Sequence, residues 1–183
     1  MKTVLLFLAT GFQETEALAQ VTICKRTAID IKTVSVTGEQ MVESSNGVVV
    51  KADLVMGRDT LPDADMLVLP GGMPGSENLY NSTPLRNLIA SHVKAGRPVA
   101  AICAAPLVLG RMCLLEGRKA TCYPGFEPEL TGATPTGATV EVDGQFITGH
   151  GPGAAIDFGL AIVACLMGEA EAKKVAASMV WPY

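Results

Sequence analysis

One of the five cysteines in this chain is set where a thiol can do chemistry. Cys103 ends the apolar run Pro98-Val99-Ala100-Ala101-Ile102 and is followed at once by Ala104-Ala105-Pro106. The pattern reads as a buried strand that stops and a helix that starts without a loop. A thiol at such a turn faces the unpaired N–H groups and positive dipole end of the helix, and both favour a thiolate. Ala104 and Ala105 are small enough to let chain and ligand approach closely. The arrangement is that of a nucleophile elbow without its Gly-x-Ser-x-Gly signature. The alternative is a buried cysteine acting as a small apolar side chain.

Glu16 is the second candidate. It falls early in the first helix, after the Gly11-Phe12 turn. Its plain reading is a solvated charge at a helix N-terminus. Its functional reading needs an apposed thiol. A thiolate and a carboxylate at contact distance cannot both stay charged, so one of them holds a proton. A protonated Glu16 donating to the Cys103 sulfur stabilises the thiolate, and the two then titrate as one unit.

Three further segments offer weaker signals. Gly71-Gly72-Met73-Pro74-Gly75 is a phosphate loop, a plain tight turn, or an oxyanion site in which the N–H groups of Gly72 and Ala104 hold developing charge. His150, in Gly149-His150-Gly151-Pro152-Gly153, is a general base, an anion contact or a structural loop histidine. Cys122 precedes Tyr123-Pro124 and can approach the same region. His92 reads as a surface residue of a helix. Cys24, Cys113 and Cys165 fall in helical patterns, where packing explains them. No Cys-x-x-Cys pair exists and the cysteine count is odd, which speaks against a disulfide framework or a zinc site.

These residues must be positioned by an alternating chain. Residues 4–9 form a continuous apolar run, as in a strand covered on both faces. Residues 14–26 read as a helix, 31–36 as a β-branched strand, 48–50 as a strand or hairpin piece, and 66–69 as a buried strand. Thr83 and Pro84 start a helix whose Leu85, Leu88, Ile89 and Val93 recur at helical spacing before Gly96 ends it. Residues 98–102 are a buried strand, 104–115 helix-like, and 119–123 a strand candidate. Residues 138–142 and 145–148 make a hairpin around Asp143-Gly144. Two helices follow, at 154–167 and 169–180. Alternation from end to end predicts an α/β fold, a mostly parallel sheet between helix layers in one domain over 1–183. Sites in such sheets lie beyond the carboxyl ends of the strands. Residues 10–16, 70–75, 103–106 and 149–153 all fall there, so neighbouring strands would bring them to one cleft.

Composition narrows the function classes. Half of the residues are hydrophobic and 14 Lys and Arg stand against 18 Asp and Glu, a net charge of −4. An acidic, unclustered surface is a poor nucleic-acid binder. Free thiols suit a reducing compartment, and a cytoplasmic location is expected. The N-terminus imitates a signal peptide, but its apolar run is six residues and Glu14 and Glu16 precede the supposed cleavage point. No run approaches the ~20 apolar residues of a membrane span.

The ordered set Thr10-Gly11-Phe12-Gln13-Glu14-Thr15-Glu16, Leu69-Pro70-Gly71-Gly72, Ala101-Ile102-Cys103-Ala104-Ala105-Pro106 and Gly151-Pro152-Gly153 resembles the ThiJ/PfpI superfamily, closest to its parkinsonism-associated deglycase and YajL-like branch. The resemblance spans essentially the whole chain. It implies a flavodoxin-like three-layer sandwich and a homodimer. It implies that Cys103 is the reactive cysteine, Glu16 its protonated partner, and Gly72 and Ala104 the backbone donors beside the sulfur. It also implies cofactor-free chemistry, either conversion of methylglyoxal to lactate or removal of early glycation adducts, with oxidation sensing through a cysteine sulfinic acid and chaperone activity as the other roles of such proteins. Three positions depart from the pattern. The peptidase branch has His directly after the cysteine, where this chain has Ala104, so a protease is not expected. Relatives in the deglycase branch often carry His near Tyr123, and Arg or Gln at the position of His150. Proton transfer here must then rely on Glu16, His150, Tyr123 or water.

Two functions from different classes follow. The first is an enzyme acting on a small reactive carbonyl or glycated substrate, with Cys103 attacking the aldehyde, Glu16 moving protons and backbone N–H groups holding the oxyanion. It needs neither metal nor nucleotide. The second is a non-enzymatic oxidative-stress sensor or chaperone that works through oxidation of Cys103.

Overall fold

The computed structural model describes residues 1–182; Tyr183, the last position of the expected domain, lies outside the described residues. In chain order the elements are β1 (Lys2–Leu8), α1 (Glu14–Cys24), β2 (Ile29–Ser35), β3 (Met41–Glu43), β4 (Val49–Lys51), β5 (Leu54–Val55), β6 (Met66–Leu69), α2 (Gly75–Asn81), α3 (Thr83–Lys94), β7 (Val99–Ile102), α4 (Pro106–Arg111), β8 (Lys119–Ala120), β9 (Thr134–Pro135), β10 (Val140–Asp143), β11 (Phe146–Gly149), α5 (Ala155–Met167) and α6 (Glu169–Ser178). Single 3₁₀ turns lie at Glu127–Glu129 and Pro152–Ala154.

Seven strands form the central sheet in the order β10-β11-β7-β6-β1-β2-β5, parallel throughout except for β10. The apolar runs explain this. Met66–Leu69, Val99–Ile102 and Phe146–Gly149 are buried at every position, as strands with helices on both faces must be. α1, α5 and α6 pack together, as do α2, α3 and α4, which makes the three layers. Each fully buried Leu, Ile, Val or Phe contributes about 1.5–3 kcal/mol. The five inner strands β2-β1-β6-β7-β11 run in the 2-1-3-4-5 order of a flavodoxin-like sheet, which reverses direction between β1 and β6. That switch point is where Glu16 and Gly71 leave the sheet.

Several expectations change. The helix read at 104–115 is only Pro106–Arg111. Cys103 and Cys113 both take left-handed backbone, with φ of 65° and 55°, and so bracket the helix. The strand read at 119–123 stops at Ala120 and pairs with β9 outside the main sheet. Its continuation bonds elsewhere, Thr121 N–H to Thr148 Oγ1 at 2.9 Å and Tyr123 N–H to Cys103 O at 2.8 Å. Ser82, one residue before Thr83, caps α3 by accepting from the Leu85 N–H. His92 is not on the surface. It is 5% exposed, because residues 85, 89 and 92 share one helical face, and its Nε2 lies 3.1 Å from Pro98 O. Cys24 is packed as expected, whereas Cys113 and Cys165 are exposed, one beyond the end of α4 and one on the outer side of α5. Among the described residues no helix is long and apolar enough to cross a membrane.

Candidate functional site

Three loops meet at the switch point because glycines let their backbones touch. A Cβ on Gly75 would lie 2.6 Å from Phe12 N, and one on Gly72 2.5 Å from Gln13 N. Gly72 also has φ +90°, a conformation that a side chain would strain. Gln13 N–H donates to Gly71 O at 2.9 Å, and Gly75 N–H to Gly11 O at 3.2 Å. Gln13 caps α1, its Oε1 accepting from the Glu16 N–H at 2.9 Å, which sets the first turn and aims Glu16 inward.

Gly71 is the hinge of the site. An added Cβ would sit 2.6 Å from Cys103 Cβ, 2.7 Å from Glu16 Oε2 and 2.8 Å from Ile102 O. Only a hydrogen fits between the carboxyl and the cysteine. Sequence reasoning treated this residue as part of a loop motif and missed the role; the Gly-Gly pair after a buried strand was the available signal.

Glu16 is fully buried. Its Oε2 accepts the Gly71 N–H at 2.7 Å, while Oε1 has no hydrogen-bond partner. Cys103 adjoins the carboxyl, since a Cβ on Gly71 would touch both Cys103 Cβ and Glu16 Oε2. Burial pushes the Glu16 carboxyl from 4.5 up to about 7, against the opposing pull of Cys103 and the Gly71 N–H. Cys103 is 7% exposed, so the sulfur is nearly but not wholly covered. Burial pushes its thiol up to about 12, and a charged Glu16 adds to the rise; the N–H groups of Gly72 and Ala104 pull it back. The expected helix N-terminus does not supply these donors: α4 begins only at Pro106, and Gly72 and Ala104 lie outside it.

The left-handed backbone of Cys103 costs on the order of 1–3 kcal/mol and persists because its surroundings over-determine it. Cys103 N–H donates to Gly149 O at 2.9 Å, and Cys103 O accepts from Tyr123 N–H at 2.8 Å. The structure thus brings Cys103, Glu16, Gly72 and Ala104 together. Tyr123 reaches them through its backbone, with its ring 46% exposed. Among the described residues no hydrogen bond joins His150 to Cys103 or Glu16; His150 Nδ1 lies 3.3 Å from Thr121 Oγ1. His150 and Tyr123 instead line a neighbouring cavity of about 370 Å³. Cys122 is buried, and burial pushes its thiol up to about 11. Among the described residues no group of three or more His, Cys, Asp or Glu is gathered as a metal site would need.

A family model described as the DJ-1/PfpI family matches residues 2–165. The chain is 40% identical over 177 residues to Protein DJ-1 homolog A of Arabidopsis thaliana, covering 95% of this chain and 45% of that protein. It spans less than half the length of this relative and of Arabidopsis homolog B. Protein dj-1beta of Drosophila melanogaster is 32% identical over 184 residues, covering 100% of this chain and 98% of the fly protein. The solved structure of oxidized Toxoplasma gondii DJ-1 superposes with a TM-score of 0.96 at 33% identity, covering 100% of both chains.

Proposed function

The chain belongs to the DJ-1/PfpI family, and on that premise we propose that it is a cofactor-independent, cysteine-dependent enzyme of the glyoxalase or deglycase type, acting on small reactive carbonyls or early glycation adducts. The observation that carries this reading is the fully buried Glu16 carboxyl set beside Cys103 across Gly71, with one of its oxygens lacking any hydrogen-bond partner. Donor counting assigns the charge within the pair. An anionic sulfur receives the N–H groups of Gly72 and Ala104 and the O–H of Glu16. An anionic Glu16 receives only the Gly71 N–H and a weak S–H. On this count we place the charge on the sulfur and the proton on Glu16, against the order that burial alone sets, with the thiol pushed up to about 12 and the carboxyl to about 7.

In the proposed reaction the thiolate adds to the aldehyde carbon of methylglyoxal. A C–S bond forms, and the carbonyl oxygen takes the Glu16 proton, giving a hemithioacetal. The N–H groups of Gly72 and Ala104 steady the charge near the sulfur. The Glu16 carboxylate then moves the proton from the former aldehyde carbon to the neighbouring carbon, while the hydroxyl proton passes to the neighbouring oxygen, which yields a lactoyl thioester. Water cleaves the C–S bond, releases lactic acid and restores the proton-sharing pair. No step calls for a metal or nucleotide. Gly72 and Ala104 are proposed as backbone donors, and His150 and Tyr123 as flanking residues rather than proton carriers. The reading includes one domain, a homodimer and a cytoplasmic location.

Lactate formation from methylglyoxal is the test, with wild type, Cys103→Ser and Glu16→Gln. Turnover in the wild type and its loss in both variants is expected; turnover that survives Cys103→Ser overturns the mechanism. A second reading is favoured by the same Glu16 proton. A sulfinate at Cys103 could accept it and be held there, which suits an oxidative-stress sensor or chaperone, and the solved Toxoplasma relative is described as oxidized. Absence of turnover, with peroxide adding two oxygens selectively at Cys103, selects that reading.

A further inference from the structure

The cavity lined by Tyr123 and His150 has a chemistry of its own. Its other walls are Pro124, Thr139 and the turn of residues 151–154. Two backbone hydrogen bonds tie it to the reactive residue. Tyr123 N–H donates to Cys103 O at 2.8 Å, and Cys103 N–H donates to the carbonyl of Gly149, the residue before His150. The Tyr123 ring is held edge-on by Phe126, with centroids 6.5 Å apart and planes at 74°. Gly151 has no side chain because a Cβ would press to 3.2 Å of that ring. At Gly153, an exposed residue of the rim, a Cβ would meet nothing within 4 Å, so a side chain there has room. No Lys or Arg lines the hollow. A phosphate or carboxylate entering it would lose water without gaining a fixed positive partner.

We infer that this cavity seats the substrate's tail, and that the preferred tail is neutral and apolar, of aromatic-ring size, flanked by the Tyr123 ring and the two prolines. The inference rests on the proposed attack of Cys103 on a carbonyl compound and names the class of that compound: an α-oxoaldehyde with an aryl or bulky apolar substituent, rather than a phosphorylated or carboxylated one. The carbonyl carbon sits at the sulfur and the substituent extends across the elbow into the hollow.

A matched series of alkylating ketones tests the tail without requiring turnover. Phenacyl bromide, bromoacetone and bromopyruvate differ only in a phenyl, methyl or carboxylate tail, and in each the thiolate displaces bromide. Rates at Cys103 are read by peptide mass spectrometry and divided by the rates with glutathione, which removes intrinsic reactivity. The expected order is phenyl, methyl, carboxylate, with the phenyl advantage about tenfold. Gly153→Leu fills the hollow and should erase most of that advantage while leaving bromoacetone within about twofold. Tyr123→Ala, which removes an exposed ring, reads the same wall if Gly153→Leu folds poorly. Equal normalised rates, a preference for bromopyruvate, or a phenyl advantage untouched by both variants overturns the inference. Phenylglyoxal and methylglyoxal turnover forms the second arm. A phenyl preference in alkylation with no turnover of either aldehyde sustains the subsite and defeats the enzyme reading instead.

Discussion

Replacing Glu16 by Gln asks which member of the Cys103–Glu16 pair holds the charge, and the answer lies in the sign of a shift. The rise of the Glu16 carboxyl from 4.5 to about 7 corresponds to about 3 kcal/mol in favour of its neutral form, at ~1.4 kcal/mol per unit. Gln keeps the volume. Its carbonyl can still accept the Gly71 N–H, and its amide can still face the sulfur. What is lost is an O–H donor to an anion. Bonds to an anion contribute about 1.5–3 kcal/mol, and the amide N–H that takes its place is a weaker donor that forfeits part of this. The difference, about 1–2 kcal/mol, raises the midpoint for thiolate formation at Cys103 by about one unit. If Glu16 instead carried the charge, its removal would relieve the repulsion that pushes the thiol up, and the midpoint would fall. The assay is the pH dependence of iodoacetamide alkylation at Cys103, read by peptide mapping so that the exposed Cys113 and Cys165 are counted separately. Thiolate absorbance near 240 nm gives a second measure. A lowered or unmoved midpoint in Glu16→Gln refutes the proton assignment and with it the reaction scheme.

Two other perturbations follow from the same geometry. Gly71→Ala places a methyl where three atoms of Cys103, Glu16 and Ile102 lie within 2.8 Å; an overpacking cost of about 1–3 kcal/mol should lower the melting temperature, and Cys103 alkylation should slow as carboxyl and sulfur are forced apart. An unchanged alkylation profile in a folded Gly71→Ala protein would show that their close approach is dispensable. Stability should also depend on pH through two buried groups of opposite sign. Burial holds His92 below its ordinary 6.5, so the unfolded chain binds the extra proton and stability falls as pH drops below about 6.5. Glu16, raised to about 7, contributes stability that is complete below about 4.5 and is lost as pH rises through about 7. Urea unfolding across this range should lose the first slope in His92→Phe and the second in Glu16→Gln; slopes that persist would place the titrations elsewhere.

Much of the scaffold is legible residue by residue. The continuous apolar runs at β1, β6 and β7 announce strands buried on both faces, and the Asp143-Gly144 pair announces the one antiparallel hairpin of the main sheet. Cys103 stands out because strand and helix signals leave it no loop. Where the reading stops short, a distant partner decides. Residues 121–123 look like strand but spend their hydrogen bonds on Thr148 and Cys103. His92 looks exposed by type yet completes the buried face of α3. The short β3 and β5 carry too few residues for their period to show, whereas β4 matches the piece read at 48–50.

From the sequence alone come the thiol at the end of its strand, the acid in the first turn of its helix, and the glycines that allow tight turns, because each is set by neighbours within a few positions. The tertiary structure decided that acid and thiol meet. Glu16 follows β1 and Cys103 follows β7, and they converge because β6 lies between those strands and Gly71, two residues past its end, has no side chain. Strand order follows from the burial of whole faces across the molecule, a sum that no local pattern contains.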